Sequence, residues 1–303
     1  SVAIYSHYIP LLMRLKKWKE AEKAAITAME IAKKYKRLFF KNLFTYYQMQ
    51  IKMRHARFWE IKETIEKISR YFEKSGHLTI AFKMLLFQSR LFRSINNSEK
   101  AKQFVEYAQK LIKNKFLDGY AAKETGAIHF AMKNYTQAVE KFNEAKNIFE
   151  KLKLGYLALL CQSNVLSAYT VLGKLEDAGK LADKLLIEAK KIKSKPLLYI
   201  IHYNYGEMAF RKKEYEKALR SFQLAVIHSR MSENILGTLK TRYMIGRMQI
   251  RMKKYAESLK EFLVVLRFSN RLKIDKLSAW TLYYIHLAYL KTGKKAESIT
   301  YLK

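Results

Sequence analysis

The chain has 303 residues, half of them hydrophobic, with 59 Lys and Arg against 26 Asp and Glu (net charge +33) and one cysteine, Cys161. This composition excludes a disordered polymer, an intramolecular disulfide and a cysteine-based metal cluster, and it fits a reducing compartment, the cytoplasm. No run of eighteen apolar residues occurs, so no membrane-spanning helix is expected, while the cationic excess favours acidic partners or nucleic acid through long-range attraction.

Only two prolines and ten glycines punctuate the sequence, and strand-like alternation is almost absent, so the expected fold is all-α. Taken from the N-terminus, one small or apolar position recurs as Ile9, Met49, Ser89, Gly126, Leu166, Gly206, Gly246 and His286. The step is 40 residues except between Ser89 and Gly126, where it is 37. A second series, on a following helix, runs Ala21, Ile61, Ala101, Ala138, Ala178, Ala218, Ser258 and Ser298. Its bulky companion appears as Phe142, Phe222 and Phe262, with Ala182 in the intervening unit and Leu302 in the last. Eight helical hairpins, or about sixteen helices, are therefore expected.

Local signals mark the elements. Pro10 requires that the first helix begin near Tyr8 or be kinked. Asn96-Asn97-Ser98 reads as a turn and N-cap, and Asp118-Gly119 as the loop before the fourth unit. Pro196 belongs to a first helical turn, where its missing N–H costs nothing. Acidic residues such as Glu20, Glu60, Glu99, Glu176 and Glu257 gather where second helices start, and basic ones where helices end, complementing the helix dipole. That rule places the charges but does not account for their twofold cationic excess.

The stretch from Leu198 to Arg230, with Tyr205-Gly206, Tyr215, Ala218, Phe222 and Ala225, resembles a tetratricopeptide repeat, whose usual length is about 34 residues. The resemblance implies one right-handed α-solenoid over residues 1–303, irregular over 1–117 and regular over 118–303. The 40-residue units are similar to the helical sensor arms of bacterial signalling ATPases and transcription regulators. A start at Ser1 rather than Met, and an end at Lys303 within an amphipathic run, fit a piece of a longer protein.

No Gly-rich phosphate loop, G-x-S-x-G or H-E-x-x-H occurs, and the seven histidines lack metal-ligand spacing. The expectation is a non-enzymatic scaffold with no cofactor and no metal. In the family the first helices line a concave surface, which the repeat register assigns here to Arg90, Lys123, Asn164, Tyr203, Asn204, Lys240, Tyr243 and Arg247. Asn164 and Asn204 hold equivalent places. An amide there either pins an extended peptide or ties helices together. Lys123 with Asn164, and Asn204 with Lys240, reproduce only halves of the family's carboxylate clamp, since Ala127 and Met244 replace its other members. A basic, tyrosine-rich surface suits an extended acidic segment of a protein partner. Single-stranded nucleic acid is the alternative, through phosphate contacts and stacking.

Overall fold

The computed structural model describes residues 2–15, 17–54 and 61–301. Glu60 and Leu302, placed in the charge and packing series above, lie outside the described residues. The chain forms an all-α helical-repeat fold of the solenoid type, with sixteen helices among the described residues. They are α1 (Val2–Arg14), α2 (Trp18–Lys34), α3 (Leu38–Arg54), α4 (Lys62–Lys74), α5 (Leu78–Ser94), α6 (Ser98–Leu111), α7 (Lys115–Ala131) and α8 (Tyr135–Lys151). There follow α9 (Gly155–Leu172), α10 (Leu175–Lys191), α11 (Lys195–Arg211), α12 (Tyr215–Met231), α13 (Ile235–Arg251), α14 (Tyr255–Arg271), α15 (Asp275–Lys291) and α16 (Lys295–Thr300). Two compact units are present, Ser1–Ala158 and Leu159–Lys303. No helix among the described residues is long and apolar enough to cross a membrane.

Odd-numbered helices are the first members of their hairpins and even-numbered ones the second. The first-helix series is buried from Ile9 through Gly246, with His286 half-buried. The second series, from Ala21 to Ser298, is wholly buried at every position. Sixteen residues separate each first-helix position from its companion, and in several hairpins the two complement one another in volume. Gly126 faces Phe142, Gly206 faces Phe222 and Gly246 faces Phe262, and a Cβ at these glycines would lie 2.6–2.7 Å from the ring. The glycines therefore persist in mid-helix, where glycine costs about 1 kcal/mol relative to alanine. Leu166 with Ala182 reverses the order, as does Ile9 with Ala25. These hairpins accept the large residue on either helix, while Met49 with Ile65 places a large residue on both.

Most helices have 17 residues and are joined by three-residue loops, so the half-repeat is 20 residues. From Lys133 to Gly293 a left-handed loop residue recurs every 20 positions. The residue after it donates its N–H to a carbonyl five back, as in Asn134 to His129 (2.9 Å) and Glu214 to Ala209 (2.9 Å), a Schellman closure. The 37-residue step has a simple origin. α6 has 14 residues instead of 17, while the loop after it keeps its length.

Two local expectations differ from the structure. Asp118 and Gly119 are not a loop but part of α7, which Asn114 caps by accepting from Phe116 N (3.0 Å) and Leu117 N (3.2 Å). Gly119 is a packing glycine, for its Cβ would meet Phe149 at 2.8 Å. α1 begins before Tyr8 and contains Pro10. Asn97 caps α6 through Lys100 N, and Ser194 precedes the first-turn Pro196 as an N-cap, both as the sequence indicates.

Candidate functional site

At three junctions between successive repeats the first helices make a contact at one equivalent place. The residue after the buried register position of one first helix meets the residue two before that position in the next. Across Ser89 and Gly126 these are Arg90 and Glu124, joined at 3.4 Å. Across Leu166 and Gly206 they are Ser167 and Asn204, whose Nδ2 donates to the serine Oγ at 3.1 Å. Across Gly246 and His286 they are Arg247 and Tyr284, with the guanidinium 5.7 Å from the ring centroid. One place in the repeat thus carries an ion pair, a neutral hydrogen bond and a cation–π contact.

In Ser1–Ala158, α3, α5 and α7 border a cavity of about 460 Å³. Phe82, Phe87, Phe116 and Tyr120 give it an apolar wall, while Gln50, Lys83 and Arg90 supply polar groups. The Arg90 charge is countered by Glu124, a buried carboxylate that also accepts from Arg93 Nε at 3.0 Å. Arg90 is thereby tied to the next repeat, because a buried carboxylate needs its paired cations. Burial pushes the Tyr46 phenol up to about 12, with Arg90 opposing the shift. Lys123 lies over the Tyr120 ring, 5.7 Å from its centroid.

In Leu159–Lys303 the outcome differs from residue to residue. Asn204 is buried, and its amide nitrogen also donates to Ile200 O at 2.8 Å. Its bond to Ser167 joins α9 to α11. Asn164 is half-buried on α9, and Lys240 is exposed on α13. Tyr203 meets Phe222 edge-on at 5.5 Å, and burial, followed by the nearby Glu207, raises its phenol well above the usual range. Tyr243 lies 5.9 Å from Phe262 and 5.6 Å from Tyr284, and burial pushes it up to about 12. Arg247 is the centre of this face. Its guanidinium carbon lies 5.3 Å from the Phe210 centroid and 5.7 Å from those of Tyr243 and Tyr284. Three rings fix a planar cation in place, a geometry suited to carboxylate or phosphate. Burial raises the Glu207 carboxyl, against the pull of Arg247 and Arg211. Glu124, Glu207 and Phe210 escaped the sequence reading. The signal for the first was present, since Glu124 holds the place equivalent to Asn164 and Asn204. Among the described residues no cluster of His, Cys, Asp and Glu could hold a metal ion.

No protein-family model matches the chain, and no curated protein matches it either. Solved structures do. A Rap protein complexed with competence and sporulation factor is 13% identical at a TM-score of 0.72, over 99% of this chain and 85% of that one. The Rap conjugation gene regulator of plasmid pLS20, solved with a Phr peptide, is 18% identical at a TM-score of 0.66, over 99% and 84%. Aspartyl phosphate phosphatase F from Bacillus subtilis is 14% identical at a TM-score of 0.54, over 100% and 92%. The chain has an all-helical repeat fold like that of the Rap-type regulators. At these identities the likeness is one of fold. It also overturns the exclusion of an enzyme made from sequence, since a protein named for a catalytic activity shares the fold. The missing motifs exclude only the scaffolds to which those motifs belong.

Proposed function

We propose that the chain is the peptide- or protein-binding module of a cytoplasmic regulator of the tetratricopeptide type, and that the first-helix face of Leu159–Lys303 takes an extended acidic segment. The reading is supported above all by Arg247, a cation held by Phe210, Tyr243 and Tyr284. Exposed Lys240 adds charge on the same helix, and Tyr203 and Tyr243 add apolar edges. The fold is shared with a regulator solved in complex with a peptide, and the single cysteine, the buried Cys161, suits a reducing compartment. Arg90 and Asn204 are left out of the contact set, because Glu124 and Ser167 already occupy them.

Stopped-flow binding of labelled acidic peptides tests the proposal. Lys240→Glu is expected to lower the association rate and its salt dependence, since charge steers the encounter. Lys213→Glu, an exposed turn residue, serves as the control and is expected to matter little. Equal impairment by the two variants would place the binding site elsewhere.

A further inference from the structure

A second cavity, of about 340 Å³, lies between the C-terminal halves of α13 and α15, beside the α13–α14 turn. Four cations line it, Arg247, Arg251, Lys253 and Lys291, and no carboxylate does. The nearby Glu207 carboxyl feels the pull of Arg247. Local backbone physics opposes lysine here in two ways. Lys253 has φ +60°, a left-handed conformation that favours glycine or asparagine. Lys254 is the N-cap of α14, where it makes no side-chain cap bond and sets a cation against the positive end of the helix dipole. Glycine fills the left-handed place at Gly173 and Gly293, so the fold accepts it. Lysine also occupies this left-handed place at Lys36, Lys133, Lys153, Lys193, Lys213 and Lys273, so what distinguishes Lys253 is that it lines a cavity together with Arg247, Arg251 and Lys291.

The apolar side of the cavity is aromatic. Tyr284 is fixed by stacking on Phe262 at 5.4 Å. Tyr283, also in the lining, is 58% exposed, and Trp280, one turn earlier on α15, is 50% exposed. Large aromatic rings open to solvent beside a cluster of cations form a platform for a planar base next to a seat for its phosphates. The volume falls at the lower end of the roughly 300–1,000 Å³ usual for small-ligand sites. Four cations call for an anion carrying more than one charge.

We propose that this cavity binds a nucleoside diphosphate, with the phosphates among Arg251, Lys253 and Lys291 and the base on Tyr283. The site has Arg247 in common with the proposed peptide surface but stands without that reading, because the other three cations lie outside it.

Calorimetric titration of the full chain with ADP, pyrophosphate and adenosine tests the assignment. ADP is expected to bind saturably, pyrophosphate more weakly and adenosine not at all. Lys253→Gly is the decisive variant. Losing one phosphate contact should weaken ADP about tenfold, yet the unliganded variant should melt at a higher temperature, because glycine relieves the left-handed backbone. That opposite movement separates lost binding from lost folding. Tyr283→Ala should weaken ADP and leave pyrophosphate unchanged. Failure of ADP to bind at millimolar concentration overturns the proposal, as does ADP affinity that Lys253→Gly leaves unchanged. A single-stranded oligonucleotide that competes better than ADP overturns it in favour of a nucleic-acid strand. Peptide binding that fails while ADP binding survives sinks the peptide reading and leaves this one standing.

Discussion

Arg90 and Arg247 occupy the same place in their repeats, one in Ser1–Ala158 and the other in Leu159–Lys303, yet they have opposite fates. Arg90 meets the buried Glu124, which also holds Arg93. Arg247 meets the Tyr284 ring at the equivalent position, and one of its guanidinium nitrogens donates to Met244 Sδ at 3.3 Å. The first arrangement spends the cation on joining α5 to α7, and the second presents it. The difference teaches that the repeat fixes where side chains meet, and the residue two places before the next register position fixes what the meeting does.

The first prediction probes what both units share. Phe222→Ala opens the space facing Gly206 and should cost about 3–5 kcal/mol. Adding Gly206→Leu reproduces the Leu166–Ala182 pairing and should restore at least about half of that loss, read from denaturant midpoints. A double variant less stable than Phe222→Ala would show that the hairpins are not interchangeable in volume.

A second test breaks the comparison at its charged end. Glu124→Gln leaves Arg90 and Arg93 facing a neutral amide and should cost about 2–3 kcal/mol, below the full penalty of a broken buried pair because both arginines are partly solvated. Tyr284→Phe, at the same place in the other unit, should change stability by under about 0.5 kcal/mol. Similar losses at the two positions would remove the distinction between a structural and a presented cation.

The smallest effect belongs to the neutral version of the contact. Asn204→Ala removes the bonds to Ser167 and Ile200 and should cost about 1 kcal/mol in a thermal melt. Peptide affinity should stay unchanged. Loss of affinity with stability intact would return Asn204 to the binding surface.

Sequence by itself determined the helical class, the eight hairpins and the register, because a 40-residue recurrence of small and bulky positions has few physical solutions besides stacked helix pairs. It also located the N-caps at Asn97 and the helix start at Pro196, which depend on residues within a few positions of one another. It misread Asp118-Gly119, since the requirement for glycine there comes from Phe149, thirty residues away, and not from a turn. The surface was less legible than the core for the same reason. Arg90, Asn204 and Arg247 look alike as polar residues phased to one face. Only the tertiary structure decided that Glu124 neutralises the first, that Ser167 ties down the second and that three aromatic rings hold the third. Burial is periodic and can be read along one helix, whereas the electrostatic environment of a cation is set by what the next helix places against it.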